Sequence, residues 1–320
     1  KEEVLRLRNE TERDLKERRT EISRQERRLV QKEENLDKKT EALERKNETL
    51  DKKIKENEEI QAEIVETLYK TWFATRNMKS IVWWNMVDGY AAYAPTAIEG
   101  KTNIAAYEFP LWVVMHFATV DEVEKALRDA AIVAKPINDK FPVSQLHFII
   151  GDAKRSIVVE YTANGMEIYH NDVDVLTNQP GYGWHKENLR NYLNLDPKMP
   201  AEVDWRGAKF TAFGSGSLMR GIPGDYYAPS RFVRVAYLNT HYPVKSTEEE
   251  NVSRLFHTLT GVAMIDGAAE MADGKCEITV YTGGYSSATK TYYYNTYEDP
   301  AIVSVPMSNH DLTGADLIQV

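Results

Sequence analysis

Val175–Tyr192 reads VLTNQPGYGWHKENLRNY, and Gly221–Arg234 reads GIPGDYYAPSRFVR. In the first stretch Asn178 precedes Gln179-Pro180 and Gly181, the punctuation of a turn, and a helix is predicted from Trp184 to Leu193. In the second, Arg231 supplies a fixed positive charge that could pair with Asp225 or Glu249. Around these stretches, Leu146–Ile150, Ser156–Tyr161, Met166–His170, Glu277–Tyr281, Lys290–Tyr297 and Ala301–Pro306 are rich in β-branched and aromatic residues and read as strands. Thr119 with Glu122 forms a capping box ahead of VEKALRDAAIV, and a further helix opens at Ser246–Thr247 before EEENVSRLFHTLTGVAM. Clustered strands separated by helical pairs predict an α+β layered fold with an antiparallel sheet.

Composition divides the 320 residues in two. Residues 1–66 hold no Gly, Pro, Cys, His, Phe, Trp or Tyr, and their 18 Lys/Arg nearly balance 20 Asp/Glu. Leu15, Ile22, Leu29, Leu36, Leu43 and Leu50 recur every seventh residue, followed by Asn57 and Ile64. That period predicts a long single helix winding left-handedly on a partner. The companion positions, among them Glu12, Arg19, Glu26 and Glu33, are polar, so the seam buries little and the coiled coil is weak. A junction over 67–80 leads into 81–320, long enough for one well-buried domain.

A net charge of -9 argues against a general nucleic-acid binder. The single cysteine, Cys276, excludes a disulfide framework, and no apolar run is long enough to span a membrane or serve as a leader, so a cytoplasmic location is expected. His170, His185 and His257 lack metal-ligand spacing, and Gly214-Ser215-Gly216 lacks the setting of a phosphate loop. No metal and no cofactor is expected. Trp83, Trp84 and Tyr90 could line an apolar pocket or pack in the core.

Five segments occur in an order that resembles the bile salt hydrolase and penicillin V acylase (choloylglycine hydrolase) family: KTNIAAYEFPLWVV from Lys101, LHFIIGDAKRSIVVEY from Leu146, VLTNQP from Val175, GIPGDYYAPSRFVRVAYLN from Gly221, and EITVYTGGYSSATKTYYYNTY from Glu277. The resemblance covers about 81–320. It implies the αββα sandwich of N-terminal-nucleophile hydrolases, often tetrameric, which split non-peptide amide bonds with a leading cysteine whose own α-amine takes the proton. Asn178 falls at the family's active-site asparagine, Arg231 at its arginine, and Asn85 in WWNMVDGY at its second oxyanion asparagine. Asn178 also has a plainer reading as a turn residue, and Arg231 as an ion-pair partner of Asp225 or Glu249. ATRNMKS (Ala74–Ser80) resembles the family's Arg-Asn-x-Asp segment, with Arg76 in the arginine place and Lys79 where an aspartate belongs.

The segment carrying the leading cysteine has no match here, so the expectation is a truncated sandwich without hydrolytic activity, and Cys276 is expected to be structural. The arm, LRNETERDLKERRTEISRQERRLVQKEENLDKKTEALERKNETLDKK, resembles the coiled-coil region of ribonuclease Y, without that family's nuclease domain. The expected partners are a bile-salt-like or other acyl-amide small molecule and further copies of the chain. The alternative is a chimera or scaffold in which the arm oligomerises and the acylase remnant binds without cutting.

Overall fold

The structure, a computed structural model, describes residues 81–87 and 89–310 and, ahead of them, helical residues scattered between Glu2 and Lys52; within 81–85 only the backbone is described. The chain divides into two units, Lys1–Thr67 and Leu68–Val320. In the first, Leu15 and Ile22 lie on helix and are 53% and 55% exposed. Glu41 and Arg45 pair one turn apart at 3.7 Å, the local support expected of a charged helix. The heptad residues Leu29, Leu36, Leu43, Leu50, Asn57 and Ile64, and the Arg76 and Lys79 pair, lie outside the described residues.

The second unit is a mixed α+β domain. Its central sheet is antiparallel, in the order β1 (Ile81–Met86), β4 (Leu146–Gly151), β5 (Ser156–Thr162), β6 (Gly165–His170). β4 and β5 are nearly continuous apolar runs because both faces of the sheet are covered. Phe148, Ile150, Ile157 and Val159 face one core, shared with α1 (Phe109–His116) and α2 (Val120–Leu127) and with the parallel pair β2 (Thr102–Ala105) and β3 (Ala130–Val133). Ile149 and Val158, on the alternate face, pack against Tyr182, Phe232 and Ala236 of α3 (Tyr182–Asn188) and α4 (Ala228–His241). That second face carries the candidate site residues below.

A short hairpin, β7 (Val203–Trp205) with β8 (Ala208–Phe210), precedes α4. The remaining layer is an antiparallel sheet, ordered β11 (Val303–Pro306), β10 (Thr291–Thr296), β9 (Tyr281–Ser286), with α5 (Glu248–Thr260) lying on it. The fit is close at Gly284, where an added Cβ would sit 2.8 Å from Leu255 Cδ2. Tyr292 and Tyr294 stack on one face of β10 at 6.1 Å, while the Tyr293 hydroxyl on the other donates to Glu248 at 2.6 Å.

Both capping boxes form, Thr119 with Glu122 and Thr247 with Glu250. Three boundaries differ from the sequence expectation. The helix after Thr119 stops at Leu127, and the AAIV that follows becomes β3, drawn into register with Thr102–Ala105. The predicted strand at Glu277–Tyr281 is displaced to Tyr281–Ser286, where β10 supplies its ladder. The helix predicted from Trp184 starts at Tyr182 and tightens to a 3-10 turn over Leu189–Tyr192.

Candidate active site

Asn178 and Arg231 are 53 residues apart in sequence and joined in space: the guanidinium Nη2 donates to Asn178 Oδ1 at 2.7 Å. The other end of the Asn178 amide, Nδ2, donates to the Met86 carbonyl at 3.1 Å, tying the loop to the end of β1. Arg231 also donates from Nε to the Tyr226 carbonyl at 2.9 Å. It is half-buried, and desolvation draws it below the usual arginine value, with the Glu277 carboxylate acting in the opposite sense. A guanidinium fork beside a pinned amide is suited to holding a carbonyl oxygen that gains negative charge.

The sequence offered Arg231 two acidic partners, and the structure directs it to Asn178 instead. Asp225 is engaged at the start of α4, where its carboxylate accepts from the Tyr227 N–H at 2.9 Å and the Ser230 hydroxyl at 2.8 Å. Arg234, one turn on, donates to the carbonyls of Pro223 (3.0 Å) and Asp225 (2.7 Å) and so holds the GIPGDYY loop beneath the helix start. Pro229 occupies the first turn of α4, where its missing N–H costs nothing.

Asn85 sits in β1 next to Met86, with its backbone directly opposite His147 of β4. Its side chain and those of Trp83 and Trp84 lie outside the described residues. Tyr90 is 49% exposed. Cys276 is a half-buried free thiol just before Glu277.

Beneath the loop lie groups that sequence reasoning passed over. His147 is fully buried; its Nδ1 meets Glu160 Oε1 at 2.7 Å and its Nε2 meets the Thr177 carbonyl at 2.7 Å. The same Glu160 oxygen accepts the Tyr182 N–H at 2.9 Å. The available signal was a polar residue inside each of two apolar strands, LHFIIG and SIVVEYT, where burial without a partner is costly.

His185 does prove to be a core histidine. It is fully buried, stacked on Phe232 at 4.6 Å, and its Nε2 reaches the Asn178 carbonyl at 3.0 Å. That carbonyl can only accept, so Nε2 carries the proton and Nδ1, which has no partner, is an unprotonated acceptor. Burial accordingly lowers the His185 pKa, partly opposed by the bond to Asn178. The unfolded chain gains a proton here as pH falls through about 6.5, and the folded chain resists until lower pH. Stability should therefore decline below about pH 6.5, by at most about 1.4 kcal/mol per pH unit from this group. Denaturant titrations between pH 7 and 5 should show this slope reduced in His185→Gln; an unchanged slope would refute the assignment.

Thr177 lies close to His185, at 3.4 Å from Nε2, but its hydroxyl donates to the Ala228 carbonyl at 3.3 Å. With the imidazole proton on Nε2, the ring has no lone pair to offer that hydroxyl, so the two do not form a nucleophile–base pair.

A profile described as linear amide C-N hydrolases, choloylglycine hydrolase family, matches residues 49–320, and one for the RNase Y N-terminal region matches residues 1–75. The chain is 53% identical over 232 residues to the bile salt hydrolase/transferase of Bifidobacterium longum subsp. longum, covering 72% of this chain and 73% of that protein. Among solved structures it is similar to a mutant form of the conjugated bile acid hydrolase of Clostridium perfringens (TM-score 0.68, 36% identity, 73% of this chain and 72% of that one). Penicillin V acylase from Agrobacterium tumefaciens shares the fold, with a TM-score of 0.55 at 20% identity over 73% of this chain and 64% of that one. With the profile spanning both motif stretches and the asparagine–arginine pair they bring together, the chain belongs to the choloylglycine hydrolase family of linear amide C–N hydrolases.

Proposed function

We propose that this chain receives an N-acyl amide at the Asn178–Arg231 pair, with conjugated bile salts as its substrate class and penicillin V as the second choice. The observation that carries this is the 2.7 Å bond between Arg231 and Asn178, which joins a fixed cation to a pinned amide. The names of the relatives support the substrate class. Asn85, next to the Met86 carbonyl that anchors Asn178, is the second oxyanion group in this reading.

The Thr177 hydroxyl, next to Asn178, has no base in position to activate it. The reading is therefore binding without turnover. A four-layer αββα arrangement, supported by the solved relatives, and the boundaries 1–66, 67–80 and 81–320, supported by the break in composition, belong to the same reading, as does a cytoplasmic location. So does self-association through the arm, supported by Leu15 and Ile22, seven residues apart and each more than half exposed. If the arm does assemble copies and the domain binds without cutting, the chain is a scaffold.

Calorimetry with glycine- and taurine-conjugated bile salts, run beside an assay for released amine, tests the reading. Saturable binding without release of glycine or taurine is expected. Absence of binding removes the substrate assignment, and thiol-dependent turnover overturns the binding-only assignment.

A further inference from the structure

We propose that the buried His147–Glu160 pair, together with His185, positions Asn178 by holding the two successive backbone carbonyls of Thr177 and Asn178. The proposal rests on the acyl-amide reading above and adds to it three residues that touch no ligand and act through the loop.

The geometry begins with strand register. β4 and β5 pair Phe148 with Val159, and the same register carried one residue further sets His147 opposite Glu160. β1 and β4 pair Asn85 with His147. Asn85, His147 and Glu160 thus stand in one row across three adjacent strands, and His147 in that row meets the Thr177 carbonyl of the loop. His147 shares its sheet face with Ile149, and Glu160 shares it with Val158, so both side chains are sealed under α3 and α4.

Both ring nitrogens of His147 meet acceptors, a carboxylate oxygen and a peptide carbonyl, each at 2.7 Å. The Thr177 carbonyl can only accept, so Nε2 carries a proton; with Glu160 ionised, Nδ1 donates as well. Glu160 then serves as counter-charge and as acceptor for the Tyr182 N–H, the first backbone donor of α3. Gly181 leaves room for this approach, since a Cβ there would sit 2.9 Å from Glu160 Oε2. The next carbonyl along the loop, that of Asn178, is held by His185 Nε2 at 3.0 Å. With both carbonyls fixed, the Asn178 side chain has its direction set before Arg231 and Met86 engage it.

Energetics favour positioning over simple stabilisation. A buried ion pair is on average no more stabilising than apolar side chains of the same volume, because desolvation offsets the attraction. An all-apolar pair would fill the same space, but it would leave the Thr177 carbonyl and the Tyr182 N–H without partners. What the charged pair adds is a fixed loop.

The test compares the whole chain with Glu160→Gln, which keeps the shape and removes the charge, and with Val123→Ala. Val123 is fully buried in the opposite core and serves as a purely structural control. The readouts are the Asn178 side-chain amide resonances and their hydrogen exchange, followed by affinity for a glycine-conjugated bile salt. Glu160→Gln should shift and deprotect the Asn178 amide and weaken binding about tenfold. Val123→Ala should lower the melting temperature and leave both unchanged. An Asn178 amide indifferent to Glu160→Gln, or moved equally by Val123→Ala, overturns the proposal. If Glu160→Gln does not fold, the imidazole spectrum of the unsubstituted chain decides: a slowly exchanging Nε2–H on His147 is expected, and a rapidly exchanging one overturns the proposal. The resonance readouts need no ligand, so a chain that binds no bile salt would defeat the substrate assignment while leaving the positioning test intact.

Discussion

Phe109→Ala is expected to cost about 3–5 kcal/mol of stability and to lower the melting temperature by roughly 10 °C. Phe109 opens α1, is fully buried, and lies 4.5 Å from the Phe148 ring on β4 and 5.8 Å from Trp112. Truncation removes the transfer energy of the ring and leaves a cavity between α1 and the central sheet, where strands paired on both sides allow little collapse. Phe148 immediately follows His147, so the void opens under the row that supports the functional loop. Met115→Ala, on the same helix at 62% exposure, should change stability by no more than about 0.5 kcal/mol. Denaturant midpoints of the two variants measure the contrast. A loss of less than about 1 kcal/mol for Phe109→Ala would show that α1 is not part of this core.

How far such features can be seen in the sequence depends on where each signal resides. β4 and β5 are legible because β-branched residues crowd them, and both α2 and α5 announce themselves with capping boxes. α1 is not legible by periodicity: FPLWVVMH is apolar on nearly every side, so no amphipathic stripe distinguishes it from a strand. β3 misleads in the opposite way. Ala130 and Ala131 are good helix formers that continue the preceding helical pattern, and only pairing with β2, 28 residues away in register, makes them a strand. α4 did carry a start signal, Pro229 in its first turn, in a stretch read for its arginine alone.

The site divides along the same line. Asn178 and Arg231 could be named because each sits in a stretch with distinctive wording, although their mutual bond is invisible at a separation of 53 residues. His147 and Glu160 left only a faint mark, one polar residue in each of two apolar strands. Their partners lie 13 and 30 residues from His147, and what identifies the pair is its burial.

Arg231→Leu is expected to weaken binding of a glycine-conjugated bile salt about 10- to 100-fold. A hydrogen bond from a charged donor is worth roughly 1.5–3 kcal/mol, and each 1.4 kcal/mol is a factor of ten in affinity. Leucine fills much of the volume but leaves the Tyr226 carbonyl and Asn178 Oδ1 without their donor, and the Glu277 carboxylate loses the opposing charge. Arg231→Lys separates charge from geometry. The guanidinium reaches Tyr226 from Nε and Asn178 from Nη2 at once, a fork that a single ammonium cannot reproduce, so lysine should recover only part of the affinity. Asn178→Ala in the Arg231→Leu background should cost less than in the parent chain, because the two groups act as one unit. Calorimetric titration of the four proteins gives the coupling directly. Additive losses would mean that arginine and asparagine meet the ligand independently, and undiminished binding by Arg231→Leu would place the acyl-amide site elsewhere on the domain.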